Sequence, residues 1–213
     1  MKTEDLVSLL STGGVAVDFR LPSRRWLLAL AGGALIAFFL TAGLLKLNPM
    51  LWHETLEPMF WVRESYCAVL GVLGCVTAVR LARPGSRLGL VPMGIPVAVI
   101  AMWVLAVVTL VVASPQDRAG LILGHSAGVC PFLIALVAAP LLIAFLWVMR
   151  SLAPTQLRWA GAASGFAAGS IGALVYTLHC PELAAPFLGI WYLLGMLIPT
   201  AIGAWLGPRV LRW

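Results

Sequence analysis

Four cysteines and three histidines carry most of the metal-binding and redox chemistry that this sequence offers. None of the cysteines forms a C-x-x-C pair, so neither a thioredoxin-like motif nor a four-cysteine zinc site is written. Two segments have a shared local pattern: Gly124-His125-Ser126-Ala127-Gly128-Val129-Cys130-Pro131 and Leu178-His179-Cys180-Pro181-Glu182. Each places a thiol near a histidine and ahead of a proline. Cys130 and Cys180 could close a disulfide under an oxidant. They could instead hold a soft or transition metal ion (Cu, Zn or Cd) as thiolates, with His125 and His179 as imidazole ligands. They could also be inert packing. Cys67, after Arg63-Glu64, and His53, in Trp52-His53-Glu54, are weaker candidates for the same site. Cys75 reads as a small buried hydrophobe. No catalytic residue and no obligatory cofactor is expected.

The elements that must position these groups are membrane spans. The chain has 213 residues, 62% of them hydrophobic and 10% charged, with a mean hydropathy of +1.01. Soluble domains carry about a quarter charged residues. Apolar runs over 26–46, 61–82, 89–113, 127–149, 158–178 and 187–206 are each long enough to cross a bilayer as a helix. The predicted fold is therefore all-α: a polytopic membrane protein with six transmembrane helices in one bundle. Its parts are an N-terminal arm (1–25), the transmembrane domain (26–206) and a short tail (207–213). Eleven of the fourteen Lys and Arg residues fall on the side of the two termini, and only Lys46, Arg63 and Arg118 on the other. That bias places both termini in the cytoplasm. Trp26, Trp52, Trp61, Trp147, Trp159, Trp205 and Trp213 lie near the expected span ends, as an interfacial belt would. Cys130, Cys180, Cys67 and all three histidines then share the outer, oxidising side. The net charge of +6 sits at helix ends, which argues against direct nucleic-acid binding.

Two further features bear on packing and partners. Gly161, Gly165, Gly169 and Gly172 line one face of the fifth run, where another backbone can approach closely. The partner is a neighbouring helix of the bundle or a second copy in a homodimer. In the arm, Thr3 can cap a short helix with Glu4 and Asp5 in its first turn. Leu6, Leu9 and Leu10 form its apolar face, and Gly13-Gly14 ends it. The arm holds Asp18 as well and lacks an apolar core, so it is not expected to be a signal peptide. A two- or three-turn helix needs outside burial. The bilayer surface could supply it, but no cation lies between Thr3 and Asp18. A groove on a soluble protein fits better.

Rival functions are a membrane thiol or quinone oxidoreductase, a transporter, a metal- or haem-binding protein using His125 and His179, and a structural subunit. The first lacks a second vicinal thiol pair to relay electrons, and no acidic ladder crosses the spans as a proton pump requires.

The opening Met1-Lys2-Thr3-Glu4-Asp5-Leu6, the Pro58-Met59-Phe60-Trp61 entry to the second span, and the later Leu178-His179-Cys180-Pro181-Glu182, Trp191-Tyr192-Leu193-Leu194-Gly195-Met196 and Gly207-Pro208-Arg209-Val210-Leu211-Arg212-Trp213 together resemble the NrsF family. These are six-span proteins of the bacterial inner membrane regarded as negative regulators of sigma F. The resemblance covers essentially the whole chain. It implies an anti-sigma factor that holds an extracytoplasmic-function sigma factor of RNA polymerase at the membrane until an envelope stress arrives. By the same resemblance, the family's pair of cysteines for sensing heavy metal or oxidant maps onto Cys130 and Cys180. The sigma-binding element maps onto the arm, with Asp5, Leu6, Leu9 and Leu10 at its centre. Cys67, His125 and His53 match no family pattern.

Overall fold

The computed structural model describes residues 20–83 and 88–212, so the expected sigma-binding positions Asp5, Leu6, Leu9 and Leu10 lie outside the described residues. Among the described residues all regular structure is helical. Helix α1 (Arg20–Leu40) runs into a π-helical turn, Thr41–Leu45. A short helix α2 (Leu51–Glu54) precedes α3 (Pro58–Leu81), which starts on a proline that its first turn tolerates. A single 3₁₀ turn leads into α4 (Gly94–Val112). After it come α5 (Arg118–Leu123), α6 (Cys130–Arg150), α7 (Leu157–Tyr176) and α8 (Ala185–Val210), the last with a π-helical segment at Leu188–Tyr192.

Among the described residues five helices are long and apolar enough to cross a bilayer: Trp26–Leu45, Pro58–Leu81, Val91–Val112, Cys130–Arg150 and Ala185–Val210. The expected fifth of six spans is α7, a helix of 20 residues but a less apolar one, rich in glycine, alanine and serine. Its position explains the composition. It occupies the centre of the bundle, packed against α8, α3 and α6. A helix surrounded by other helices meets little lipid and needs small residues for close approach more than it needs hydropathy.

The glycine face is consumed inside the bundle. A Cβ on Gly169 would lie 2.8 Å from the Met196 carbonyl oxygen, and one on Gly172 would lie 2.8 Å from Ala138 Cβ. Gly161 and Gly165 meet the backbones of Gly203 and Pro199 on α8. Gly161, Gly165 and Gly169 therefore form the α7–α8 seam, Gly172 packs on α6, and the face is not available to a second copy.

Hydroxyls within the helices bond to carbonyls of their own turn, including Thr41 to Ala37 (3.0 Å), Ser164 to Ala160 (2.9 Å) and Ser170 to Phe166 (2.9 Å). Polar groups in a lipid environment need such partners. The π segment of α8 displaces the Gly189 carbonyl from the regular ladder, and Trp103 Nε1 of α4 donates to it at 2.9 Å. Trp191 Nε1 donates to the Ile122 carbonyl of α5 at 2.8 Å. These two indoles tie the outlying α4 and α5 to the bundle.

Candidate functional site

The segments 46–57, 113–129 and 177–184 meet at one end of the bundle, and the 177–184 segment folds over that end. Cys130 is the first residue of α6, its N–H bonded to the Ser126 carbonyl at 2.8 Å. Pro131 therefore sits in an opening helical turn, where its missing N–H costs nothing. Cys180 follows α7, its N–H bonded to the Tyr176 carbonyl at 3.1 Å. The structure brings the two thiols into hydrogen-bonding contact, with Cys130 fully buried and Cys180 1% exposed. The Tyr176 hydroxyl contacts both sulfurs, and Ser126 Oγ lies 4.0 Å from Cys180 Sγ. Tyr192, stacked in a tilted arrangement on Tyr176 with ring centroids 6.1 Å apart, closes the wall. All four cysteines are free.

Hydrogen bonding sets the charge state of Cys180. The Cys130 thiol donates to its sulfur, the Glu182 N–H and Ser126 add to this, and together they outweigh burial and hold the Cys180 thiol below the usual cysteine range. The thiolate is the reactive form. Alkylation of Cys180 by a small membrane-permeant reagent should therefore rise with pH and level off below the pH at which an ordinary cysteine does. Cys130→Ala removes the leading donor, so the inflection should move up and the rate at neutral pH should fall. Mass spectrometry of the Cys180 peptide across pH reads both. A wild-type inflection well above neutral would contradict the geometry.

The other expected ligands do not join the pair. His125 is turned fully outward, its side chain 102% exposed, with Nδ1 3.5 Å from Glu182 Oε1. His179 has Nδ1 2.8 Å from the Lys46 carbonyl oxygen. Cys67 is buried in α3 one turn beyond Arg63, and His53 is exposed on α2. Among the described residues no three His, Cys, Asp or Glu side chains form a group that could hold a metal ion. Two contacting thiols suit disulfide closure or a two-coordinate soft ion such as Cu(I), whereas zinc calls for four ligands.

The site contains one residue that charge counting misreads. Arg63 counts among the few cations on the thiol side, yet its side chain is 0% exposed. Its guanidinium donates to the carbonyls of Cys180 (2.8 Å), Glu182 (3.2 Å) and Thr177 (3.4 Å). Glu54 Oε2 lies 3.5 Å from Nη2, and Glu64 Oε1 lies 3.4 Å from Nε. A planar five-donor fork can do this where an ammonium cannot. The available sequence signal was a cation two residues beyond Trp61 with acids at 54 and 64. A second brace is the Glu182 carboxylate, which accepts the His125 N–H at 2.7 Å. Gly124, at φ 50°, leaves room for it, since a Cβ there would lie 2.7 Å from the carboxylate.

A family described as "Negative regulator of sigma F" matches residues 10–213. The chain is 44% identical to the probable anti-sigma-F factor NrsF of Azospira oryzae and 36% identical to the anti-sigma-F factor NrsF of Caulobacter vibrioides, over the full length of each chain. No solved structure matches it. With its arrangement of helices and its buried thiol pair, the chain belongs to the NrsF family of negative regulators of sigma F.

Proposed function

We propose that the protein is a membrane-embedded anti-sigma factor that sequesters an extracytoplasmic-function sigma factor and releases it when Cys130 and Cys180 react. The relatives' names support the first half. The observation that carries the second is the contact between two otherwise sealed thiols at one end of the bundle. In this reading α7 is a sixth span, both termini are cytoplasmic in the bacterial inner membrane, and the thiols face the envelope. The arm, residues 1–25, offers Leu6, Leu9 and Leu10 to the sigma factor, with Asp5 beside them.

The chemistry is small in scale. Hydrogen peroxide takes two electrons from the pair: the Cys180 thiolate and the Cys130 thiol form the sulfur–sulfur bond, and the Cys130 proton with one from solvent completes two waters. Alternatively, a soft ion displaces the remaining thiol proton of Cys130 and is held by two thiolates. Either event draws the 177–184 segment toward the start of α6. Helix shifts of about 1–2 Å are typical of switching bundles, and a tenfold change in sigma release needs about 1.4 kcal/mol of coupling.

The test is a sigma-dependent reporter in cells carrying the full-length protein. Cys130→Ser and Cys180→Ser should each hold the reporter at its uninduced level under oxidant and soft-metal stress, with wild-type amounts of protein in the membrane. Normal induction by both variants would assign the thiols to packing.

A further inference from the structure

The exit of α1 is held in an unusual backbone conformation by the residue next to Cys180. After the π-helical turn Thr41–Leu45, Lys46 adopts φ 67° and ψ 148°. L side chains rarely take up that region, and such strain persists only where surrounding contacts impose it. Two contacts do so here. His179 Nδ1 lies 2.8 Å from the Lys46 carbonyl oxygen. A carbonyl only accepts, so Nδ1 carries the proton. Two residues on, the Asn48 N–H donates to the Leu178 carbonyl at 2.9 Å. The Asn48 side chain in turn bonds to Glu54, which pairs with Arg63, whose guanidinium returns to the Cys180 carbonyl. The segment that leaves α1, through Lys46 and Asn48, is thus bound to both residues that precede Cys180. Further along, α1 packs against α6, the helix that Cys130 begins.

We propose that His179 is a positioning residue: it latches the exit of α1 to the thiol segment, and displacement of Cys180 breaks the latch and lets Lys46 and α1 relax. This rests on the reading of Cys130 and Cys180 as the trigger. It gives His179 a role different from metal ligation, because its Nδ1 is committed to a backbone carbonyl. It also identifies how a change at the thiols reaches the helix that follows the N-terminal arm, with the strained Lys46 as the two-state element.

Three variants of the full-length protein test it in the reporter strain, with membrane abundance followed by immunoblot and thiol state by alkylation. His179→Ala should raise uninduced reporter output about fivefold at equal abundance, the population shift expected for loss of one net hydrogen bond, while thiol modification proceeds as in wild type. His179→Asn keeps a donor near the Nδ1 position and should restore repression, although an amide is a poor soft-metal ligand. Lys46→Gly removes the strain from the latched state and should act in the opposite direction, with uninduced output no higher than wild type and induction requiring about three- to fivefold more inducer. That sign cannot come from loss of protein, which would derepress. Wild-type behaviour of His179→Ala would overturn the latch, as would failure of His179→Asn to restore it or a raised baseline in Lys46→Gly. If the cysteine-to-serine variants induce normally while His179→Ala derepresses, the trigger reading fails and the latch stands. If those variants are silent and His179→Ala matches wild type, the latch fails and the trigger stands.

Discussion

Replacing Arg63 by methionine should dismantle the thiol end of the bundle at a cost of about 3–5 kcal/mol. Methionine keeps the aliphatic length and removes every donor. The carbonyls of Thr177, Cys180 and Glu182 then lose their shared partner, and Glu54 and Glu64 lose the cation between them. A buried acceptor without a partner costs about 1–3 kcal/mol and a stranded charge more, so the segment should lift toward water instead of staying closed. Two measurements follow the change. The unfolding midpoint in detergent should fall by about 10 °C. Cys180, 1% exposed in the native fold, should become reactive toward a bulky impermeant maleimide. Arg63→Lys should fall between, because one ammonium cannot reach all five acceptors. An unchanged midpoint with Cys180 still sealed would mean that the 177–184 segment is held by Glu182, His179 and Asn48 without Arg63.

Arg63 also shows where the sequence stops being informative. Apolar runs located the helices because lipid rewards continuous hydropathy. Trp26–Leu45, Cys130–Arg150 and Ala185–Val210 lie within a few residues of the expected 26–46, 127–149 and 187–206. The pairing of Cys130 with Cys180 was suggested by matching contexts, and the fold brings them into contact. The use of the histidines was not legible. His125 and His179 resemble ligands in sequence because each stands near a cysteine, but the fold gives one to solvent beside Glu182 and the other to the Lys46 carbonyl. Those partners lie 57 and 133 positions away, and backbone acceptors leave no mark in side-chain spacing. The partners of Arg63 are illegible for the same reason: a charge count assigns a cation to a side of the membrane without showing that a loop folds over it and supplies carbonyls. The α7 composition has a related origin, since its glycines report close packing but not the identity of the partner helix.

Gly165→Val should be the most damaging single substitution in the α7–α8 seam. A Cβ at Gly165 would lie 2.7 Å from the Pro199 carbonyl carbon and 2.8 Å from Thr200 Cα. Both are backbone atoms and cannot rotate away, so the helices must separate. Separation also loosens the contacts at Gly161, Gly169 and Gly203, which depend on the same approach. In lipid the attraction between helices is mostly this close packing. Overpacking that flexible side chains can absorb costs about 1–3 kcal/mol. A collision with backbone along a whole seam should reach the upper end of that range or exceed it. The expected result is a folded fraction that falls severalfold after detergent extraction, read by size exclusion and by protection of Cys130 from alkylation. Gly32→Val in α1 and Gly43→Val in the π-helical turn after it provide the control, since a Cβ at either position meets nothing within 4 Å. A Gly165→Val protein that stayed folded and lost only a dimer would move the seam to the outside of the bundle. The effect should extend to the thiols, because α7 leads directly into Cys180 while α8 carries the Tyr192 ring that stacks on Tyr176 beside them. Parting these two helices shifts Cys180 relative to Cys130, so the small-residue face of α7 holds the sulfur–sulfur distance on which the thiol chemistry depends.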